Sequence, residues 1–211
     1  MKKKLLSLKS LAAGALLFTA ASAQAQITVY IDQASFQAAV TQAGTDTFDD
    51  LPMSPLPTPL ARLAGVHGYF ASSGPTSIFF PVGSDTDRWL STAVASDSIT
   101  FSNFSSGVYA LGGFFFASDA NGDFLPGTTV TLTAESGVVE TVILTDTMTS
   151  SFLGFTSNAP LLSVVLTAAQ NGIAVWPTAN DLTLAVPEPG TYALLLAGLG
   201  LVGFAARRRA S

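Results

Sequence analysis

Two uncharged, apolar runs flanked by basic residues stand at opposite ends of this chain, and they remove both ends from any water-soluble core. The first, Leu11 to Ala21, follows Lys2, Lys3, Lys4 and Lys9; the second, Thr191 to Ala206, precedes Arg207, Arg208 and Arg209. Of the 211 residues, 26–186 remain to fold as a body. A body of that size hides roughly two thirds of its unfolded surface, which is enough for one self-sufficient core. It must be held by burial alone, because the chain has no cysteine for disulfides, zinc-thiolate sites or a thiol nucleophile.

The N-terminal segment, 1–25, has the order of a secretory signal peptide: a basic start, an apolar run, then small residues at Ala21-Ser22-Ala23 and Ala23-Gln24-Ala25. The apolar run is short for a membrane anchor. Signal peptidase is expected to cut after Ala25, with Ala23 and Ala25 as the small residues it selects.

The C-terminal segment, 187–211, opens with Pro187-Glu188-Pro189-Gly190. Two prolines cannot continue a helix and keep this stretch extended. The run Thr191 to Ala206 would span about 24 Å as a helix, somewhat less than a hydrocarbon core of about 30 Å. Snorkelling arginines and local thinning absorb such a difference. Arg207, Arg208 and Arg209 should stay cytoplasmic as the membrane stop, placing the body outside. The ordered trio of Pro-Glu-Pro motif, apolar helix and basic stop resembles the sorting signal of PEP-CTERM proteins, exported bacterial proteins handled by the membrane protease exosortase. The resemblance implies recognition and cleavage at Pro187, Glu188 and Pro189 while the chain is held in the inner membrane with its body in the periplasm. Delivery to the cell surface or an exopolysaccharide matrix would follow.

Charge narrows the partners of the body. Between Ile27 and Val186 the chain carries two basic residues, Arg62 and Arg88, against thirteen acidic ones, a net charge of −11. Nucleic-acid affinity comes from cations that neutralise phosphates, so nucleic acid is not an expected partner.

The patterning of the body predicts a mainly β protein. Ile27 to Ile31 alternates as a strand, and Asp32 fits a helix N-cap, with Phe36, Ala39 and Val40 on one face and Gly44 as the stop. Thr129 to Ala134 alternates strictly and turns through Glu135-Ser136-Gly137 into Val138 to Thr145, a hairpin. Ser98 to Phe104, Gly107 to Ala117, Leu161 to Thr167, Ile173 to Trp176 and Leu182 to Val186 are further strands. Asp50 to Leu60, with four prolines, reads as an extended surface loop. Many strands, one short N-terminal helix and Gly-rich turns point to an antiparallel, jelly-roll-like β-sandwich.

No catalytic constellation stands out. His67 is the sole histidine, and no Gly-x-Ser-x-Gly elbow is present. Asp49-Asp50 and Asp85-x-Asp87 are local carboxylate pairs, not the two acids across a sugar bond that glycoside cleavage needs. Asp119, Asn121 and Asp123 place oxygens at alternate positions, as a calcium loop does, but Phe124 stands where an EF-hand needs glycine. A turn at Asn121-Gly122 is the simpler account. Trp89, Trp176, Tyr69 and Tyr109 stack on sugars if exposed and otherwise belong to the core. The expectation is a non-catalytic surface or matrix protein without a cofactor, associated with exopolysaccharide. The alternatives are a secreted glycan hydrolase and a calcium-dependent adhesion or carbohydrate-binding module.

Overall fold

The computed structural model describes residues 25–187. Strand β1 (Ile27–Tyr30) leads through helix α1 (Gln33–Ala38) into β2 (Val40–Asp46). Short strands follow along the proline-rich region and beyond it: β3 (Leu56–Pro57), β4 (Leu60–Ala64), β5 (His67–Gly74), β6 (Ile78–Phe79) and β7 (Val82–Gly83). The second half holds β8 (Arg88–Ser91), β9 (Ser98–Ser102), β10 (Ala110–Ser118), β11 (Val130–Glu135) and β12 (Val139–Leu144). It closes with β13 (Phe152–Ser157), β14 (Ser163–Ala168) and β15 (Trp176–Pro187).

These strands form the expected antiparallel sandwich. One sheet runs β1-β13-β10-β15-β8-β7, with β2 also on β15; the other runs β12-β11-β14-β9-β5-β4. From β8 onward the chain crosses repeatedly from one sheet to the other, as in a jelly roll, and the two inner faces enclose one core. Phe101, Phe115, Phe155, Leu132 and Leu166 are wholly buried there.

Strands open to water on one face alternate in burial, as β11 and β9 do. The centre of the first sheet does not alternate: every residue of β13 is buried. Helix α1 is the cause, because it lies on the outer face of that sheet and drives Phe36 into a small second core with Val40, Ala110, Phe152 and Ala185. The sheet makes room with glycines: a Cβ at Gly154 would stand 2.5 Å from Phe36 Cδ2, and one at Gly112 would stand 2.8 Å from Phe152 Cζ. Burying a phenylalanine contributes about 1.5–3 kcal/mol, ample to hold so short a helix.

Asp32 is the N-cap, its Oδ1 accepting from Ser35 N at 2.8 Å. The helix stops earlier than the sequence suggests, at Ala38, and Gly44 lies inside β2. The pairing of Val40–Asp46 with β15 outweighs the helical spacing of Phe36, Ala39 and Val40. Gly44 serves a different purpose, since a Cβ there would meet Ala64 O at 2.2 Å where β2 and β4 pass.

The hairpin of β11 and β12 is as expected, with Gly137 in the left-handed region at φ 75°. Ile173 to Trp176 and Leu182 to Val186 are not separate strands: β15 runs unbroken from Trp176 to Pro187. Asn180-Asp181, which looks like a turn, is absorbed as a bulge opposite Gly112–Phe114, with Asp181 at φ 49°. The proline-rich stretch is largely exposed, although Leu56–Pro57 pairs with Ile78–Phe79. Among the described residues no helix is long and apolar enough to cross a membrane; the expected helix Thr191 to Ala206 lies outside them.

Candidate functional site

The sorting motif begins inside the sheet. Pro187 is the last residue of β15 and pairs with Val40, while Val186 pairs with Thr41, whose Oγ1 donates to Val186 O at 3.4 Å. Proline is tolerated here because a strand end can forgo one N–H donor. No linker separates the folded body from the motif. Glu188, Pro189, Arg207, Arg208 and Arg209 lie outside the described residues, as does Ala23.

The expected signal-peptidase site is equally close to the fold. Ala25 and Gln26 immediately precede β1, and Gln26 N donates to Asn158 Oδ1 at 2.8 Å while Asn158 N donates to Gln26 O at 3.3 Å. The register then links the two points. Ile27 pairs with Ser157, Thr156 with Ala110, and Ala110 with Ala185, so the start of β1 and the end of β15 share one end of the sheet. Three strand spacings, about 14 Å, separate them.

The opposite end of that sheet carries a recess of about 170 Å³. Its wall is built by the start of β15, the end of β8 and the loop after β10, which bring together Trp176, Phe80, Thr92, Asp119 and Asn121. Ser91, Ser118 and Thr178 form a buried hydroxyl cluster beneath it, with Ser118 Oγ 2.9 Å from Thr178 Oγ1. The Asp119 loop is ordered from within: Asp119 Oδ1 accepts from Asn121 N at 2.8 Å and from Asp123 N at 3.0 Å. Gly122 takes φ 85°, and a Cβ there would strike Val82 Cγ1 at 2.7 Å. The three oxygen-bearing residues thus make an Asx-type turn whose exposed tip borders the recess. Among the described residues no group of three or more His, Asp or Glu is placed to hold a metal ion.

The remaining candidates are dispersed. His67 is buried and its Nε2 lies 2.7 Å from Gln42 O, which it bonds as a structural donor. Tyr69 is buried, its hydroxyl donating to Asp46 Oδ2 at 2.7 Å, and burial followed by the Asp46 charge pushes its pKa up. Trp89 packs edge-on against Phe116, whereas Trp176 is half-buried at the recess. Tyr109 is half-buried between the strand ends, its backbone N donating to Ala185 O.

Asp49 and Asp50 turn to different partners. Asp50 accepts two bonds from Arg62, at 2.8 and 2.6 Å, and these hold its carboxyl below the ordinary range. Asp49 Oδ1 accepts from Arg88 N at 2.9 Å. Asp87 accepts from Asn180 Nδ2 at 2.9 Å. The bulge in β15 brings Asp181 near enough to Asp87 and Asp49 for their charges to act on it. Burial raises the pKa of Asp181, and the charges of Asp87 and then Asp49 raise it further.

Comparison with known proteins bears on the C-terminal end. Residues 185–209 match the family model of the PEP-CTERM protein-sorting motif, and this match supports an exported protein processed by exosortase. Neither curated proteins nor solved structures yield a match to the chain.

Proposed function

We propose that this exported exosortase substrate is a non-catalytic surface or matrix protein whose body binds exopolysaccharide through the recess at Trp176. The supporting observation is the placement of that recess. It stands at the end of the sheet remote from both chain exits, so it faces away from the membrane during processing and stays open afterwards. Its composition suits a sugar ring: aromatic faces from Trp176 and Phe80 beside hydroxyl, amide and carboxylate groups. At about 170 Å³ it takes one ring, not an oligosaccharide.

Binding of the mature protein to exopolysaccharide from the producing cells, with Trp176→Ala beside the unaltered chain, tests this reading. A loss of affinity on substitution is expected, with no release of reducing ends. Unchanged binding would remove the recess from the account, and steady release of reducing ends would replace the non-catalytic reading with a hydrolase. Intact mass of the protein recovered from the cell surface tests the sorting itself: the expected species starts near Gln26 and ends between Pro187 and Gly190.

A further inference from the structure

The end of the sandwich from which both termini emerge differs from the rest of the body in charge. Its connections are the β4–β5 turn, the segment between β9 and β10, the β11–β12 turn and the β13–β14 segment. Across them and the terminal residue of each adjoining strand, Glu135 is the one acidic side chain among the described residues, with Glu140 one position further into β12, although the body carries thirteen acidic residues. Three of these four connections also present an apolar side chain to solvent: Val66 at 84 % exposure, Leu162 at 54 % and Val138 at 37 %. The opposite end exposes Met148 and Ile173 as well, but among connections that hold Asp97, Asp119, Asp123 and Asp146.

We infer that the end bearing Val66, Val138 and Leu162 rests on the bilayer surface while the chain is tethered. The inference depends on the reading that Thr191 to Ala206 inserts in the membrane. Chain length then leaves little choice. Pro187 is fixed in the sheet, and residues 188–190 span at most about 10 Å when extended, comparable to the headgroup layer of one leaflet. The body cannot stand clear of the lipid, and the end that must approach it is the end poorest in acidic side chains among the described residues. Valine and leucine at turn tips settle among headgroups and glycerol backbones at little cost, whereas the −11 body would be repelled by anionic lipid in any other orientation.

The absence of cysteine makes the test clean. Full-length protein carrying Val66→Cys, Leu162→Cys or, at the far end, Met148→Cys is labelled with a fluorophore. It is then reconstituted into phosphatidylethanolamine–phosphatidylglycerol vesicles with spin-labelled headgroups and no exosortase. Quenching at positions 66 and 162 is expected to exceed that at 148 several-fold. Equal quenching in protein that cofractionates with the vesicles overturns the apposition alone. Protein that fails to cofractionate overturns the insertion reading and the apposition with it. Quenching at 66 and 162 that appears only once exosortase is added shows that the tethered chain does not rest on lipid by itself and overturns the inference as stated.

Discussion

Val40 and Pro187 are paired across the ends of β2 and β15, so the first residue of the sorting motif is held by the first residue of a neighbouring strand. A protease that takes an extended substrate must find this motif with one end already in a sheet. Inserting six Gly and Ser residues between Val186 and Pro187 leaves the motif intact and frees it from β2. Pulse-chase labelling of the full chain in its own cells is expected to show faster processing of the insertion variant. An unchanged rate would show that pairing with Val40 does not limit access.

Helix α1 depends on the absence of a side chain beneath it. A Cβ at Gly154 would lie 2.5 Å from Phe36 Cδ2 and 3.1 Å from Phe152 Cε1, so Gly154→Ala forces the ring of Phe36 out of its socket. The expected cost is about 1–3 kcal/mol, the range for overpacking a filled core. Urea unfolding measures it, and hydrogen exchange should show faster opening of residues 33–38 than of β10.

The charge state of Asp181 predicts a pH dependence. Burial and the carboxylates of Asp87 and Asp49 raise its folded pKa above the ordinary 3.8, so the folded state favours the protonated form. Its contribution to stability is therefore complete below the unfolded value and is lost as pH rises through the raised folded value. Asp181→Asn keeps a residue type that accepts φ 49° and removes the titration. The melting temperature of the variant should match the parent below about pH 3.5, exceed it increasingly as pH rises through the raised folded value, and hold a constant difference above it. A difference that is the same below and above that value would trace the effect to something other than ionisation.

The legibility of this fold in its sequence follows the exposure of its strands. Strand β11 has one wet face, so its alternation is written plainly and the hairpin with β12 is readable to within a residue. Strand β13, Phe-Leu-Gly-Phe-Thr-Ser, is buried on both faces, carries no alternation and is invisible to a period-two pattern. Asn180-Asp181 carries turn chemistry that the structure spends on a bulge, and Gly44 carries stop chemistry that it spends on a close backbone approach. The sorting motif is legible because its three parts are contiguous. The recess is not, because Phe80, Thr92, Asp119 and Trp176 come from four distant segments that only the sheet order brings together.

Arg62 and Asp46 provide the strongest test of what holds the body together. Arg62 Nε and Nη2 reach Asp46 Oδ2 and Oδ1 at 2.9 and 2.6 Å, and the Asp46 side chain is only 3 % exposed. Phe48 N and the Tyr69 hydroxyl donate to the same carboxylate, fixing the turn after β2 against β4 and β5. Burial opposes the charge on Arg62, but its bonds to Asp50 and Asp46 outweigh that and raise its pKa. Arg62→Met strands the Asp46 carboxylate in the interior, where removal of one partner from a buried pair costs about 3–5 kcal/mol. Urea unfolding at neutral pH should show a loss in that range. Asp46→Asn combined with Arg62→Met should recover part of it, because no buried charge is then left without its partner. A double variant as unstable as the sum of the two single ones would mean that the ion pair is not what couples them.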